Sequence, residues 1–227
     1  MTAPYKRAAL GKSAKVDELG RRVGAVNTLM MKNGGWHARN TDVPGFLEPL
    51  DGRIELENCR ATVVGAGGAA RAVVTALVDE GAKVTVCARA AEAARSVAEL
   101  CGGASSEMPP VVGTWDLLVN TTPVGTYPEN NRSPVGRDDI KGKLVYDLVY
   151  NPQVTRLLAD ARAAGCLTIG GLAMLVSQAE RQFQWCTGHS APPNSFRRAA
   201  EARLGTMSRA DKLDEVEAES DEHRDLV

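Results

Sequence analysis

The sequence predicts an α/β protein, a doubly wound parallel sheet preceded by a smaller, incomplete α/β region, on three observations. From Arg60 onward short apolar runs alternate with amphipathic stretches, the order a βαβ series requires. A glycine-rich turn follows the first of these runs and opens the first helix. Ahead of Arg60 the pattern changes to a single hairpin signal, and some fifty residues are too few to bury a core of their own without further elements.

Taken in order, Thr28–Lys32 and Trp36–Arg39 flank Asn33-Gly34-Gly35, residues that accept positive φ and so predict a hairpin. Ala61–Val64 reads as a buried strand, Ala69–Glu80 as a helix and Lys83–Ala88 as the next strand. The Ala-rich stretch Ala91–Leu100 is helical, and Trp115–Asn120 and Leu144–Leu148 are further strands. A helix follows Pro152, where a first-turn proline is tolerated. Leu167–Ile169 then reads as a strand, and Leu172–Thr187 as a helix with apolar residues at helical spacing.

Composition narrows the function classes. The chain has 227 residues, 44% hydrophobic and 24% charged, with 27 basic against 28 acidic side chains. No basic block is present to neutralise a row of phosphates, so no nucleic-acid partner is expected. Nor is a membrane partner expected, because no apolar run approaches transmembrane length. The five cysteines, Cys59, Cys87, Cys101, Cys166 and Cys186, are odd in number and widely spaced, without a C-x-x-C pair. Free thiols in a reducing cytoplasm and no metal site are the expectation. The stretch from Ser208 to Val227 holds eight acids and three bases and reads as a solvated, disordered tail.

Gly65-Ala66-Gly67-Gly68-Ala69-Ala70 lies between a predicted strand and a predicted helix, the context of a Rossmann-like dinucleotide site. Gly65, Ala66, Gly67, Gly68 and Ala69 are therefore cofactor-binding candidates, their amides and the helix N-terminus facing a pyrophosphate. The competing reading is a glycine turn used only for tight packing. After the second strand the chain reads Cys87-Ala88-Arg89-Ala90, with no acid for a ribose hydroxyl and with Arg89 able to pair with a 2′-phosphate, so NADP is preferred over NAD. Arg95 is a weaker candidate for the same phosphate. The three histidines lie on the hairpin, near a helix end and in the tail, and no Ser/His/Asp or Cys/His order is present for covalent catalysis.

Seven motifs occur in one order: Thr2-Ala3-Pro4-Tyr5-Lys6, Gly24-Ala25-Val26-Asn27-Thr28-Leu29, Asn40-Thr41-Asp42, Gly65–Ala69, Asn120-Thr121-Thr122, Asp147–Pro152 and Gly171–Gln178. In order and spacing this set resembles the motifs of shikimate dehydrogenases, over nearly everything from Met1 to Gly188. The resemblance implies NADP-linked interconversion of 3-dehydroshikimate and shikimate, a step of aromatic amino-acid biosynthesis. It implies Lys6 and Asp42 as the catalytic pair, with Lys6 exchanging the proton at the reacting oxygen. It further implies that Thr2, Asn27, Asp42, Tyr150 and Gln178 bind the substrate, and that Leu148 and Gly171 line the nicotinamide. The small molecule is the expected partner, to a monomer or homodimer.

The departures from the family pattern are specific. Ala88 and Ala90 stand where the family usually has Asn and Thr, leaving Arg89 alone at the 2′-phosphate site, and Val43 and Gly170 replace a usual Gly and Asp. Family members precede the Thr-x-Pro-x-Lys motif with several strands and helices, including a Ser-x-Ser element for the substrate carboxylate. Met1 stands where they usually carry Val, so an internal GTG codon read as a start, with the native chain beginning upstream, is expected. The expected organisation is a remainder of the substrate domain over 1–50, an NADP-binding domain over 51–170, C-terminal helices over 171–206 packing back on the substrate domain, and the acidic tail over 207–227. Two rivals stay open, an incompetent NADP-binding remnant or regulatory protein, and a dehydrogenase of quinate or another cyclic hydroxy acid.

Overall fold

A parallel six-stranded sheet dominates the molecule. The computed structural model describes residues 5–205, so Thr2 and the acidic tail over 207–227 lie outside the described residues. The strands are β4 (Arg60–Val64), β5 (Lys83–Cys87), β6 (Ala104–Ser106), β7 (Leu117–Asn120), β8 (Leu144–Asp147) and β9 (Leu167–Gly170). Their order is β6-β5-β4-β7-β8-β9, and every pair is parallel. From β4 the chain builds outward to β5 and β6, then returns to the other side of β4 to build β7, β8 and β9. The order reverses at β4 and β7, and that is where a doubly wound sheet opens a crevice beyond its strand ends.

Burial explains the strand and helix sequences. All four residues of β7 and of β8 are buried, as continuous apolar runs in a sheet covered on both faces require. Helix α4 (Gly68–Asp79) buries Ala70, Ala72, Val73, Val74, Ala76 and Leu77, and α5 (Ala91–Cys101) buries Ala94, Val97 and Ala98 against the same core. Helix α6 (Arg156–Ala163) is capped by Thr155, whose hydroxyl accepts from Leu158 N at 3.3 Å. Helix α7 (Gly171–Thr187) ends at Gly188, which takes the left-handed conformation (φ 75°) that closes a helix.

The region before the sheet holds more structure than its hairpin. Strands β2 (Thr28–Lys32) and β3 (Gly35–Arg39) pair antiparallel around Asn33 and Gly34, both at positive φ, as predicted. A short strand β1 (Lys15–Val16) adds parallel to β3, making three strands in the order β1-β3-β2. Helices α1 (Lys6–Gly11), α2 (Glu18–Val23) and α3 (Asp42–Leu47) accompany them. Ala9, Val16, Val26 and Ala38 form a small apolar cluster, while Val23, Ala25, Val43, Phe46 and Leu50 join the main core with Val63 and Tyr146. Phe46 stacks on Tyr146 of β8 with ring centroids 5.1 Å apart, which fastens α3 to the large sheet. Helix α3 also lies tight on α7: a Cβ on Gly45 would stand 2.8 Å from Gln178 Cβ.

The described residues group into two units, one through Ser190 and one from Ala191. The second carries a helix over 195–205 with an Arg197–Glu201 ion pair at 3.7 Å. Among the described residues no helix is long and apolar enough to cross a membrane, and the five cysteines are free.

Candidate active site

Backbone hydrogen bonds bring sequence-distant polar residues to one place. Val26 N donates to Lys6 O at 3.1 Å, and Asn27 N to Arg39 O at 3.1 Å, so the first turn of α1, the approach to β2 and the end of β3 are tied together. Asn40 then turns the chain into α3. Its Oδ1 accepts from Asp42 N (3.0 Å) and Val43 N (3.2 Å), and its Nδ2 donates to Ala25 O at 2.9 Å. Asp42 is thereby held at the head of α3, facing Lys6.

Lys6 Nζ donates to Asp42 Oδ2 at 2.5 Å, with side chains only 15% and 6% exposed. A charge pair this shielded from water is retained only with good geometry and further hydrogen bonds. Asn27 supplies the next one, donating from Nδ2 to Asp42 Oδ1 at 2.7 Å. The orientation of that amide follows from its oxygen, which accepts from Thr41 N and Thr28 Oγ1, both at 2.9 Å. Asn27 Nδ2 also reaches Thr41 Oγ1 (2.9 Å) and Gln178 Oε1 (3.3 Å) on α7. Lys6, Asn27, Asp42 and Gln178 thus form one hydrogen-bonded cluster.

The glycine turn borders this cluster, and its glycines divide the work. Gly65, at φ 115°, leaves no room for a side chain: its Cβ would lie 2.4 Å from Thr121 Oγ1, which itself donates to Val64 O at 2.8 Å. Gly65 is therefore required both by its positive φ and by tight packing across the β4–β7 reversal. Gly67 is different, since a Cβ there would meet nothing within 4 Å. It precedes α4 without a side-chain cap, leaving the first-turn amides of a 12-residue helix open to an anion. A Cβ on Gly68 would sit 3.6 Å from Lys6 Cδ, so the lysine lies against the head of α4.

Arg89 stands two residues beyond β5 and has no carboxylate partner among the described residues, whereas Arg95 is engaged with Glu92 at 2.9 Å. These features fit a dinucleotide phosphate chain with an additional phosphate near Arg89. At the far side of the crevice a Cβ on Gly171 would be 2.1 Å from Leu148 O, so only glycine lets α7 start against that loop. Leu148 and Gly171 are brought together in this way. Tyr150 lies on the same loop, 45% exposed, without a hydrogen bond to the Lys6 cluster.

Beneath the loop is a clasp that sequence motifs touched without assigning. Asn120 and Asp147 are register partners at the ends of β7 and β8. Asp147 accepts from Asn120 Nδ2 (2.9 Å), Val149 N (3.1 Å) and Thr155 Oγ1 (2.6 Å), while Asn120 Oδ1 accepts from Thr122 N and Oγ1. Burial pushes the Asp147 carboxyl above its usual range despite these donors. Thr41 and Gln182 are also in the site without having been singled out. The signal for Gln182 was available, four residues after Gln178 on one helix face. A separate concavity of about 1140 Å³ lies beside Leu47, Glu55, Glu57, Asp79 and Glu80, with Arg53 and Arg181 also on its wall.

A parallel sheet reversing at β4 and β7, with an uncapped glycine turn at the reversal, defines the class of dinucleotide-binding α/β proteins. Residues 50–124 match the family model described as shikimate / quinate 5-dehydrogenase. The chain is 36% identical over 214 residues to shikimate dehydrogenase (NADP(+)) of Shouchella clausii, covering 90% of this chain and 78% of that protein. The shikimate 5-dehydrogenase of Thermus thermophilus, solved with NADP(H) and shikimate, superposes with a TM-score of 0.81 at 38% identity, covering 89% of this chain and 77% of that one. Quinate dehydrogenase from Corynebacterium glutamicum, solved with NAD, gives a TM-score of 0.79 at 31% identity, covering 90% and 76%. The chain belongs to the shikimate dehydrogenase family of oxidoreductases.

Proposed function

We propose that this chain interconverts 3-dehydroshikimate and shikimate with NADP as the cofactor, and that Lys6 and Asp42 carry the proton transfer. The observation that carries the reading is the shielded Lys6–Asp42 pair lying against the head of α4. NADPH, when bound, supplies the hydride that reduces the ketone, and NADP takes it back in the reverse direction. An ammonium has three hydrogens. Lys6 spends one on Asp42 Oδ2 and offers the others to the reacting oxygen, giving up a proton as the alcohol forms and recovering it as the ketone forms. Asp42 fixes the direction of the ammonium, and Asn27 fixes Asp42. Asn27, Gln178 and Tyr150 bind the hydroxyls of the ring, together with Thr2. Gly67, Gly68 and Ala69 hold the phosphates by their amides, Gly65 and Ala66 shape the turn, Arg89 pairs with the 2′-phosphate, and Leu148 and Gly171 border the nicotinamide.

The test is NADPH absorbance from purified protein mixed with NADP and shikimate, with Lys6→Ala as control and quinate as a second substrate. Production on shikimate that the control loses is expected. Production on quinate alone would transfer the reading to a quinate dehydrogenase, and NADP binding without turnover on either would leave a nucleotide-binding remnant.

A further inference from the structure

Helix α7 brings a second glutamine to the cluster. Gln182 Nε2 donates to Gln178 Oε1, one turn earlier, and reaches Thr41 Oγ1 at 3.4 Å. Gln178 Oε1 therefore accepts from two amides, Gln182 and Asn27, while Gln178 Nε2 donates to Leu175 O at 3.1 Å. The Asn27 amide is locked by Thr41 N, so its N–H end faces Gln178. Asn27 alone holds Gln178 only through a long 3.3 Å bond, a weak bar to rotation of the terminal amide. With Gln182 in place, rotation of Gln178 would set its N–H against the locked Asn27 N–H and would require the Gln182 amide to turn as well, so the pair resists rotation more than Gln178 alone. Both ends of Gln178 are then determined, its oxygen spent inside the protein and its second N–H left for a ligand.

We infer that Gln182 is a positioning residue for substrate, holding Gln178 so that the site presents a hydrogen-bond donor to an oxygen of the polyhydroxylated ring. This rests on the reading of the Lys6–Asp42 cluster as a shikimate site. Among the described residues the side-chain hydrogen bonds of Gln182 go to Gln178 and, at 3.4 Å, to Thr41, and none goes to Lys6 or the glycine turn, so its action on a ligand runs chiefly through Gln178. Its loss consequently weakens ground-state and transition-state binding of the ring alike, which raises KM and leaves kcat in place.

The test compares wild type, Gln182→Met, Gln182→Ala, Gln178→Met and the double variant Gln178→Met/Gln182→Met. Shikimate affinity is measured by calorimetry without cofactor, alongside steady-state kinetics and melting temperature. Expected for Gln182→Met and Gln182→Ala is a roughly three- to tenfold rise in shikimate Kd and KM, the size of one hydrogen bond, with kcat and NADP KM unchanged. The double variant is expected to bind no worse than Gln178→Met, because a positioning effect vanishes with the group it positions. Wild-type Kd and KM in the Gln182 variants, a fall in kcat at constant KM, or a double variant weaker by the product of the single effects would each overturn the inference while leaving the shikimate reading intact. A wild type that neither binds nor oxidises shikimate overturns that reading and the inference with it.

Discussion

Asp42 does two things at once, accepting from Lys6 on one oxygen and from Asn27 on the other. An amide at this position keeps the volume but can accept on one side only, so either Lys6 or Asn27 loses its partner. Asp42→Asn is expected to keep the fold, by circular dichroism, while kcat on shikimate falls about 10²- to 10⁴-fold, the scale of a positioned proton donor. A variant with unchanged kcat would remove Asp42 from the chemistry. Arg89 gives a separate expectation on the cofactor. Charge-assisted bonds to a phosphate are worth about 1.5–3 kcal/mol, so Arg89→Ala should lower the preference for NADP over NAD by about 10- to 100-fold. Equal loss with both cofactors, in kcat/KM, would place Arg89 elsewhere than at the 2′-phosphate.

At the scale of elements, the loop after β8 and the start of α7 depend on one missing methyl group. Alanine at position 171 would place its Cβ 2.1 Å from Leu148 O and 2.7 Å from Val149 O, backbone atoms that no side-chain rotation can move aside. Gly171→Ala is expected to cost about 1–3 kcal/mol, as overpacking does, and to weaken NADP binding, since the displaced loop borders the nicotinamide in the proposed site. Chemical denaturation and NADP titration check the two halves, and a variant of wild-type stability would show the loop to be loosely held. The strands and helices of the large sheet were legible because their apolar runs are long and their periods clear. The predicted starts of α4 and α7 fall one residue late, at Ala69 and Leu172, because glycine is a poor helix former and the apolar period begins only after Gly68 and Gly171. The elements β1, β6, α1, α2 and α3 were not predicted. Each is held by its neighbours more than by its own pattern: β1 is two residues paired to β3, and α3 is fixed by Asn40 and by Phe46 on Tyr146. Among site residues, motif order marked Lys6, Asn27, Asp42 and Gln178. Gln182 was within reach of the predicted helix, four residues after Gln178, whereas the Asn120–Asp147 clasp emerges only when the strand register is known.

Across the whole molecule, the two ends of the large sheet carry acids of opposite electrostatic character, and their effects on stability have opposite sign. At the end where the strands begin, Asp116 accepts from Arg60 N (3.2 Å), Nε (3.0 Å) and Nη2 (3.2 Å), with Lys143 Nζ at 3.3 Å. The Arg60 guanidinium holds its carboxyl far below the usual 3.8. The native state then binds fewer protons here than the unfolded chain, so this contribution is complete above the ordinary carboxylate range and is lost as pH falls through the native value. At the end where the strands finish, burial raises Asp147. Here the native state holds its proton longer than the unfolded chain, so stability is fully present below about pH 3.8 and declines as pH rises through the native value. Substituting asparagine at each position adds a constant offset from altered hydrogen bonds, but only the titrating group contributes a slope. Relative to wild type, Asp116→Asn should therefore be destabilised by about 2–4 °C in melting temperature at pH 7, with the gap closing toward pH 3. Asp147→Asn should gain on wild type as pH rises above 4. Melting temperatures of the three proteins between pH 3 and 8 decide it: parallel curves would mean that neither carboxyl differs between the folded and unfolded states, and a gap for Asp147→Asn that widens with pH in wild type's favour would mean that its three donors outweigh its burial.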